Sequence, residues 1–355
     1  MSVSAHVGHG ILAQESQVQI AGGIHYHATV PHSSVNLSQR LLSSLRFKGM
    51  DERYYNVDEE LYGTCKWLPN TPAWLAWQRS FDSDDLPRLF WIKGHPGTGK
   101  STLMRFAYGR HAPKPDEIVL SHFFNARGSE LERSINGMQR TLITQLLHKL
   151  SGYVSLDASF LEMILPHDGE WAQGRLHNLF TEILRKNRHY SFSLFVDALD
   201  ECDEEQARHL IRDFSSLLLD RRDQFPKIRI CLASRYYPGI VIPLYIKHYV
   251  LELEAESGHL EDIAQFIREK LIVGDQVFEE VKCGLTNKAN RSFLWCDLVI
   301  TELNQTFSDG LLGVEEAKLI LQQVPHDLSG LFRRLLGTAA LHRCYKSTTR
   351  GPQKQ

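Results

Sequence analysis

The run Phe90-Trp-Ile-Lys-Gly94-His-Pro-Gly97-Thr-Gly99-Lys100-Ser101-Thr102 constrains this chain more than any other stretch. From Gly94 to Ser101 it satisfies the phosphate-loop pattern G-x-x-x-x-G-K-[ST]. Glycines let the backbone take positive φ and come close to a ligand. The inward-turned N–H groups then cradle phosphate oxygens, and a following helix adds its positive N-terminal end. Lys100 would reach the β- and γ-phosphates, and Ser101 would hold Mg²⁺. Arg88-Leu-Phe-Trp-Ile-Lys93 reads as a buried strand entering the loop, and Thr102 to Tyr108 as the helix leaving it. The candidate contacts to ATP or GTP are Gly94, His95, Pro96, Gly97, Thr98, Gly99, Lys100, Ser101 and Thr102.

A second motif supports the first. In Ser193-Leu-Phe-Val-Asp197-Ala-Leu-Asp200-Glu201 an apolar strand ends on an acid. Asp197 would meet Mg²⁺ directly or through water, as the Walker B acid does. Asp200 and Glu201 lie just past the strand end, where a carboxylate can orient an attacking water. Ligands of open α/β sheets bind outside the carboxyl ends of strands. Arg235, ending Cys231-Leu-Ala-Ser-Arg, is therefore a candidate γ-phosphate sensor, and Arg127 a weaker one; the alternative for each is a surface ion pair. Asp203, Glu204 and Glu205 read as the acidic start of a helix.

Around these motifs the chain alternates. Strands are expected at 118–124, 192–197, 228–234 and 248–253, with helices at 138–150, 176–185 and 204–219 and a long connection over 151–174. Short apolar strands alternating with helices mean a parallel α/β sheet. After Glu254 the strand signal stops, and helices are expected at 259–271, 276–288, 292–306, 314–323 and 327–341. The expected domains are a P-loop core over 86–255 and a helical subdomain over 256–345, with a polar tail at 346–355. A chain of 355 residues is too long for one compact core, in keeping with this division.

The N-terminal third reads differently. Residues 36–85 form an aromatic-rich helical segment: a helix from Asn36 to Leu45, two short helices at Thr64–Leu68 and Thr71–Trp77, and an acidic linker at 80–87. The dense aromatics read as packing rather than a ligand cage. Residues 1–35 hold no Lys or Arg, and Glu15 is their single acid. Val18, Ile20, Ile24 and Tyr26 alternate around Gly22-Gly23, which fits a hairpin. A lone hairpin is marginal in water, and an uncharged alternating stretch is a template for strand stacking between chains. A disordered tail, or a hairpin docked on its own domain, fits the same residues. If the segment assembles, residues 10–32 are the candidate contact for a downstream effector.

Composition narrows the setting. A formal net charge of −2 offers no global basic field, so no nucleic acid partner is expected. No transmembrane segment and no signal-peptide core is legible, and the six scattered cysteines lack a C-x-x-C pair. The expected location is cytoplasmic, with reduced thiols. His25 and His27 flank Tyr26 but have no third metal ligand.

These residues carry a resemblance. Gly94–Thr102, His122-Phe-Phe-Asn-Ala-Arg-Gly128, Phe195-Val-Asp-Ala-Leu-Asp-Glu-Cys202 and Cys231-Leu-Ala-Ser-Arg-Tyr-Tyr-Pro238 resemble the NACHT domain of the signal-transducing ATPases. The nearest likeness is to fungal NOD-like receptors, whose NACHT region is nephrocystin-3-like at its N-terminus. The segment from Leu45 through Leu68 resembles the part preceding that domain, and Val324 to Phe332 the helical part following it. The resemblance implies a nucleotide-controlled switch that forms a homo-oligomer when activated. Ala198 stands where many P-loop ATPases carry a catalytic Glu; here the acids fall later, at Asp200 and Glu201. The expectation is an α/β P-loop NTPase parallel sheet with flanking helices, followed by an α-helical subdomain and acting as a weak nucleoside triphosphatase. A small-molecule kinase and a non-hydrolysing assembly module are the alternatives.

Overall fold

The computed structural model describes residues 32–150, 156–166, 169–220, 225–236, 239–289, 291–310 and 313–336. Residues 1–31, with the alternating stretch around Gly22-Gly23, lie outside the described residues, as do the polar tail and the end of the helix expected at 327–341.

In chain order, α1 (His32–Leu45), α2 (Glu52–Asn56) and α3 (Pro72–Gln78) precede β1 (Leu89–Lys93) and α4 (Lys100–Gly109). Then come β2 (Glu117–Phe123), α5 (Ile135–Lys149), α6 (Ala158–Ile164), α7 (Gln173–Lys186), β3 (Ser191–Asp197), α8 (Glu204–Leu219), β4 (Ile228–Ser234) and β5 (His248–Glu252). Among the described residues α9 (Ser257–Lys270), α10 (Asp275–Lys288), α11 (Phe293–Ser308) and α12 (Val314–Gln323) follow, and residues 328–336 are again helical.

The five strands form one sheet in the order β2-β3-β4-β1-β5, and every pairing is parallel. A parallel sheet is covered on both faces, so its inner strands read as apolar runs. Successive side chains alternate between the faces. Leu89, Trp91, Phe192, Leu194, Val196, Ile230 and Leu232 enter one core with α1 and α5 to α8. Phe90, Ile92, Phe123, Phe195, Cys231 and Ala233 enter the other, beneath α3 and α4. Asp197 stands two residues after Phe195, and so faces α4, the helix that leaves the phosphate loop. A third core, including Ile263, Val281, Trp295, Val299 and Leu321, is drawn wholly from the part of the chain after β5.

At the other end of the α4 face the sheet carries a buried polar rung. Arg229 of β4 pairs with Glu117 of β2 at 2.6 Å and donates through Nε to Ser193 Oγ of β3 at 2.7 Å. Its guanidinium also stacks on Trp77 and Phe81, at 4.7 and 4.5 Å. Ser80 and Phe81 are buried here, so the acidic linker is packed where it begins.

Three expectations need correction. Thr64–Leu68 is a turn rather than a helix, with Gly63 and Cys65 at φ +94° and +64° and a 3-10 turn only at Leu68–Asn70. The Cys65 N–H is drawn to Asp262 Oδ2 of α9 at 2.9 Å, a tertiary bond that local propensity does not register. The connection over 151–174 contains α6, whose Leu161 and Ile164 join the first core. Finally α2, with no apolar periodicity to announce it, lies within the irregular aromatic stretch.

Candidate functional site

The phosphate loop runs from the end of β1 into α4. Gly97 and Gly99 have φ +77° and +82°, which turn the loop back over the helix start. Gly97 is also sterically required: a Cβ there would stand 2.7 Å from Leu294 Cβ and from Ser292 Oγ. Thr98 is buried and donates through Oγ1 to His95 O at 2.8 Å, while His95 and Pro96 are exposed. Lys100 Nζ donates to Gly94 O and His95 O at 2.8 and 2.7 Å. Burial lowers the Lys100 pKa, and Asp200 and Asp197 oppose that shift.

Asp197 is fully buried, and neither carboxylate oxygen has a hydrogen bond of full geometry. Burial raises its pKa to about 6; the adjacent Ser101 hydroxyl is the largest opposing influence, although it falls short of a formed bond. An unpaired buried carboxylate beside a hydroxyl at a helix start is a donor set suited to Mg²⁺, which keeps waters and phosphate oxygens as its other ligands. Among the described residues no cluster of three or more His, Cys, Asp or Glu forms a self-sufficient metal cage.

Ala198 takes the left-handed region, φ +54° and ψ +44°, rare for a residue with a Cβ. The chain then makes a 3-10 turn over Leu199–Glu201, bringing Asp200 and Glu201 back to the sheet edge. Asp200 grips Arg235, with Arg235 Nε 3.0 Å from Oδ2 and the Arg235 N–H donating to Oδ1 at 2.8 Å. Glu201 accepts from the Ala126 N–H at 2.8 Å and stands 3.9 Å from the Arg235 guanidinium. Asp197, Asp200, Glu201 and Arg235 thus gather at one edge beside Lys100. Arg127 is exposed, and its backbone N–H donates to Asn125 Oδ1 at 3.2 Å.

Several neighbours of the loop have no sequence motif to announce them. Glu254, just past β5, accepts from the His95 N–H at 2.5 Å and from the Tyr236 hydroxyl at 2.8 Å. Those two bonds hold the Glu254 carboxyl below its usual range against the opposing effect of burial. The Tyr236 ring lies 4.9 Å from that of His95. From α9, buried His259 meets Thr98 O at 2.9 Å; at the start of α11 the Leu294 N–H donates to Gly97 O at 3.2 Å. A polar residue on the buried face of α9 is the one signal that could have marked His259. Beside the loop opens a cavity of about 680 Å³, bounded by Leu61, Tyr62, Thr102, His259, Phe266 and Phe293 among others. That size lies in the range of small-molecule and cofactor pockets.

A parallel sheet with a phosphate loop after one strand and a buried acid ending another defines a P-loop NTPase. Residues 63–235, just under half of the chain, match the family described as Nephrocystin 3, N-terminal, a likeness in keeping with a NACHT-like P-loop NTPase. The chain is also 26% identical over 279 residues to the vegetative incompatibility protein HET-E-1 of Podospora anserina, a match covering 74% of this chain and 20% of that protein. The chain therefore spans about a fifth of that relative's length. Among solved structures, a Walker-type ATPase of Pyrococcus abyssi aligns at 14% identity and TM-score 0.39, covering 78% of this chain and 76% of its own. The FIGL-1 AAA domain aligns at 14% identity and TM-score 0.40, covering 83% and 95%. Both overlays are loose, and the fold rests on this chain's own strand order. Among the described residues no helix is long and apolar enough to cross a membrane.

Proposed function

We propose that the protein is a nucleotide-dependent signalling switch of the NOD-like receptor type, which binds ATP or GTP with Mg²⁺, hydrolyses it slowly and so controls oligomerisation. The observation that carries the switch is that the phosphate loop is held by the helices after β5. His259 bonds Thr98 O, and Leu294 bonds Gly97 O. A ligand that reshapes the loop must act on those helices.

In this reading Gly94 to Thr102 surround the phosphates and the neighbouring cavity takes the nucleoside. Lys100 exchanges loop carbonyls for phosphate oxygens. Ser101 and Asp197 would hold Mg²⁺, which when bound would offset the negative charge of the phosphates. Glu201 or Asp200 orients water, and Arg235 reads the γ-phosphate. Residues 86–255 act as the core and 256–345 as the responding subdomain; residues 10–32 pass the signal to an effector. The relation to a vegetative incompatibility protein, HET-E-1, supports a place in fungal innate immunity.

The bonds that occupy Glu201, from Ala126 and near Arg235, favour a second reading in which nucleotide governs assembly without turnover. Calorimetric titration of the wild type and Lys100→Ala with each triphosphate tests the binding step. Binding lost in the variant is expected, and unchanged affinity would remove the phosphate-loop reading. Phosphate release by the wild type decides between the switch and the non-hydrolysing module.

A further inference from the structure

The phosphate-loop and Walker B motifs leave out a charge supplied from the segment before the core. Arg53 lies on α2, a helix that packs against the end of β2. Tyr54 beside it stacks on Phe123 at 5.3 Å and on Tyr108 of α4 at 5.6 Å. Phe123 is the register partner of Asp197. Arg105 of α4 fixes the other end of α2, donating to Val57 O and lying 5.2 Å from the Tyr54 ring. This brings Arg53 to the α4 face of the sheet, where Asp197 points.

The two side chains share a deficit. Arg53 Nε is buried with no hydrogen-bond partner, and both oxygens of Asp197 are in the same condition. Burial raises the Asp197 pKa, and the Arg53 charge opposes that rise together with the Ser101 hydroxyl. An isolated buried carboxylate is costly to keep charged, and a neighbouring cation offsets the cost.

We infer that Arg53 is a positioning residue for the metal site, holding the Asp197 carboxylate in place beside Ser101 from outside the P-loop core. The inference rests on the nucleotide reading above. It makes α2 part of the nucleotide machinery: a displacement of the segment before the core would loosen the metal without touching the phosphate loop. Partners that orient a metal ligand from outside its coordination shell change metal affinity by about 10- to 100-fold when removed.

The test is a Mg²⁺ titration of fluorescent triphosphate binding to the full chain, run on the wild type, Arg53→Gln and Arg53→Lys, with an EDTA arm. Affinity in EDTA is expected to be the same for all three. The Mg²⁺ concentration that half-maximally tightens binding should rise about tenfold in Arg53→Gln and return most of the way in Arg53→Lys. Coincident Mg²⁺ midpoints, or a loss in Arg53→Gln that is equal with and without Mg²⁺, would overturn the role. A wild type that binds no triphosphate in either arm overturns the nucleotide reading itself, a different result from coincident midpoints. Matched thermal melts control for folding, and Arg53→Met, which keeps the aliphatic stem, replaces Arg53→Gln if that variant does not fold.

Discussion

Arg235 folds around Asp200, presenting its guanidinium Nε to one carboxylate oxygen at 3.0 Å and its own backbone N–H to the other at 2.8 Å. Asp200, in the turn after β3, is thereby committed to the arginine just past β4, which leaves Glu201 the freer of the two carboxylates in that turn. Glu201→Gln should keep triphosphate affinity and slow phosphate release by about 10²- to 10⁴-fold, the usual cost of losing a general base. Asp200→Asn should act through Arg235, weakening the preference for triphosphate over diphosphate. Normal phosphate release by Glu201→Gln would move the base elsewhere or deny turnover.

Ala198 gives a stability prediction with two signs. Its left-handed backbone costs about 1–2 kcal/mol, against about 0.5–1 kcal/mol for the extra freedom of a glycine in the unfolded chain. Ala198→Gly should therefore be neutral or stabilising by up to about 1 kcal/mol in urea unfolding. Ala198→Val should destabilise by on the order of 2 kcal/mol, since a branched Cβ tolerates this region poorly. A Val variant as stable as wild type would remove the strain.

His122 sits fully buried with neither ring nitrogen partnered, and burial drives its pKa down to about 3. The unfolded chain takes up this proton near pH 6.5, and the native state does so only near pH 3. Its contribution is complete above pH 6.5 and declines as pH falls, by about 1.4 kcal/mol per unit. Asp197 acts in the opposite sense: its pKa is raised from 3.8 to about 6, so the native state gains stability as pH falls between those values. The wild-type profile is consequently flattened, and the difference between His122→Leu and wild type is the informative quantity. That difference should widen in favour of the variant from pH 6.5 to 4.5 in chemical denaturation, and a constant difference would show His122 to be solvated.

Arg229→Ala should cost on the order of 3 kcal/mol, because it removes the permanent cation from buried Glu117 and leaves that carboxylate to His111 and Ser193. Arg229→Met with Glu117→Gln should recover most of the loss. Equal losses in the single and double variants would mean that packing against Trp77 and Phe81, rather than charge, fixes this end of the sheet.

Motif and periodicity sufficed for the central architecture. The five strands and the helices after Glu254 show as apolar runs and helical spacing because burial dictates their composition. That the loop residues, Asp197, Asp200, Glu201 and Arg235 meet at one sheet edge was legible because phosphate and metal chemistry restricts residue type and spacing; the roles given to them are part of the proposal. Glu254, His259 and Arg53 were not, since each acts across a long sequence separation and none sits in a recurring pattern. The turn at Gly63–Cys65 failed for a related reason: Asp262, far along the chain, decides its backbone. Nor could Ala198 be read as strained, because alanine is ordinary in every local context.

The grips on Gly97 and Thr98 come from residues past β5, and Glu254 at the root of α9 holds His95. In the proposed switch, the loop and the C-terminal helices move together through these bonds, as two arms of one lever. Linkage between such arms is reciprocal. If nucleotide binding shifts the helices, a load applied to them must shift nucleotide affinity by the same factor. Tension exerted through whatever the C-terminal helices are tethered to would then be read at the phosphate loop as a change in nucleotide dwell time.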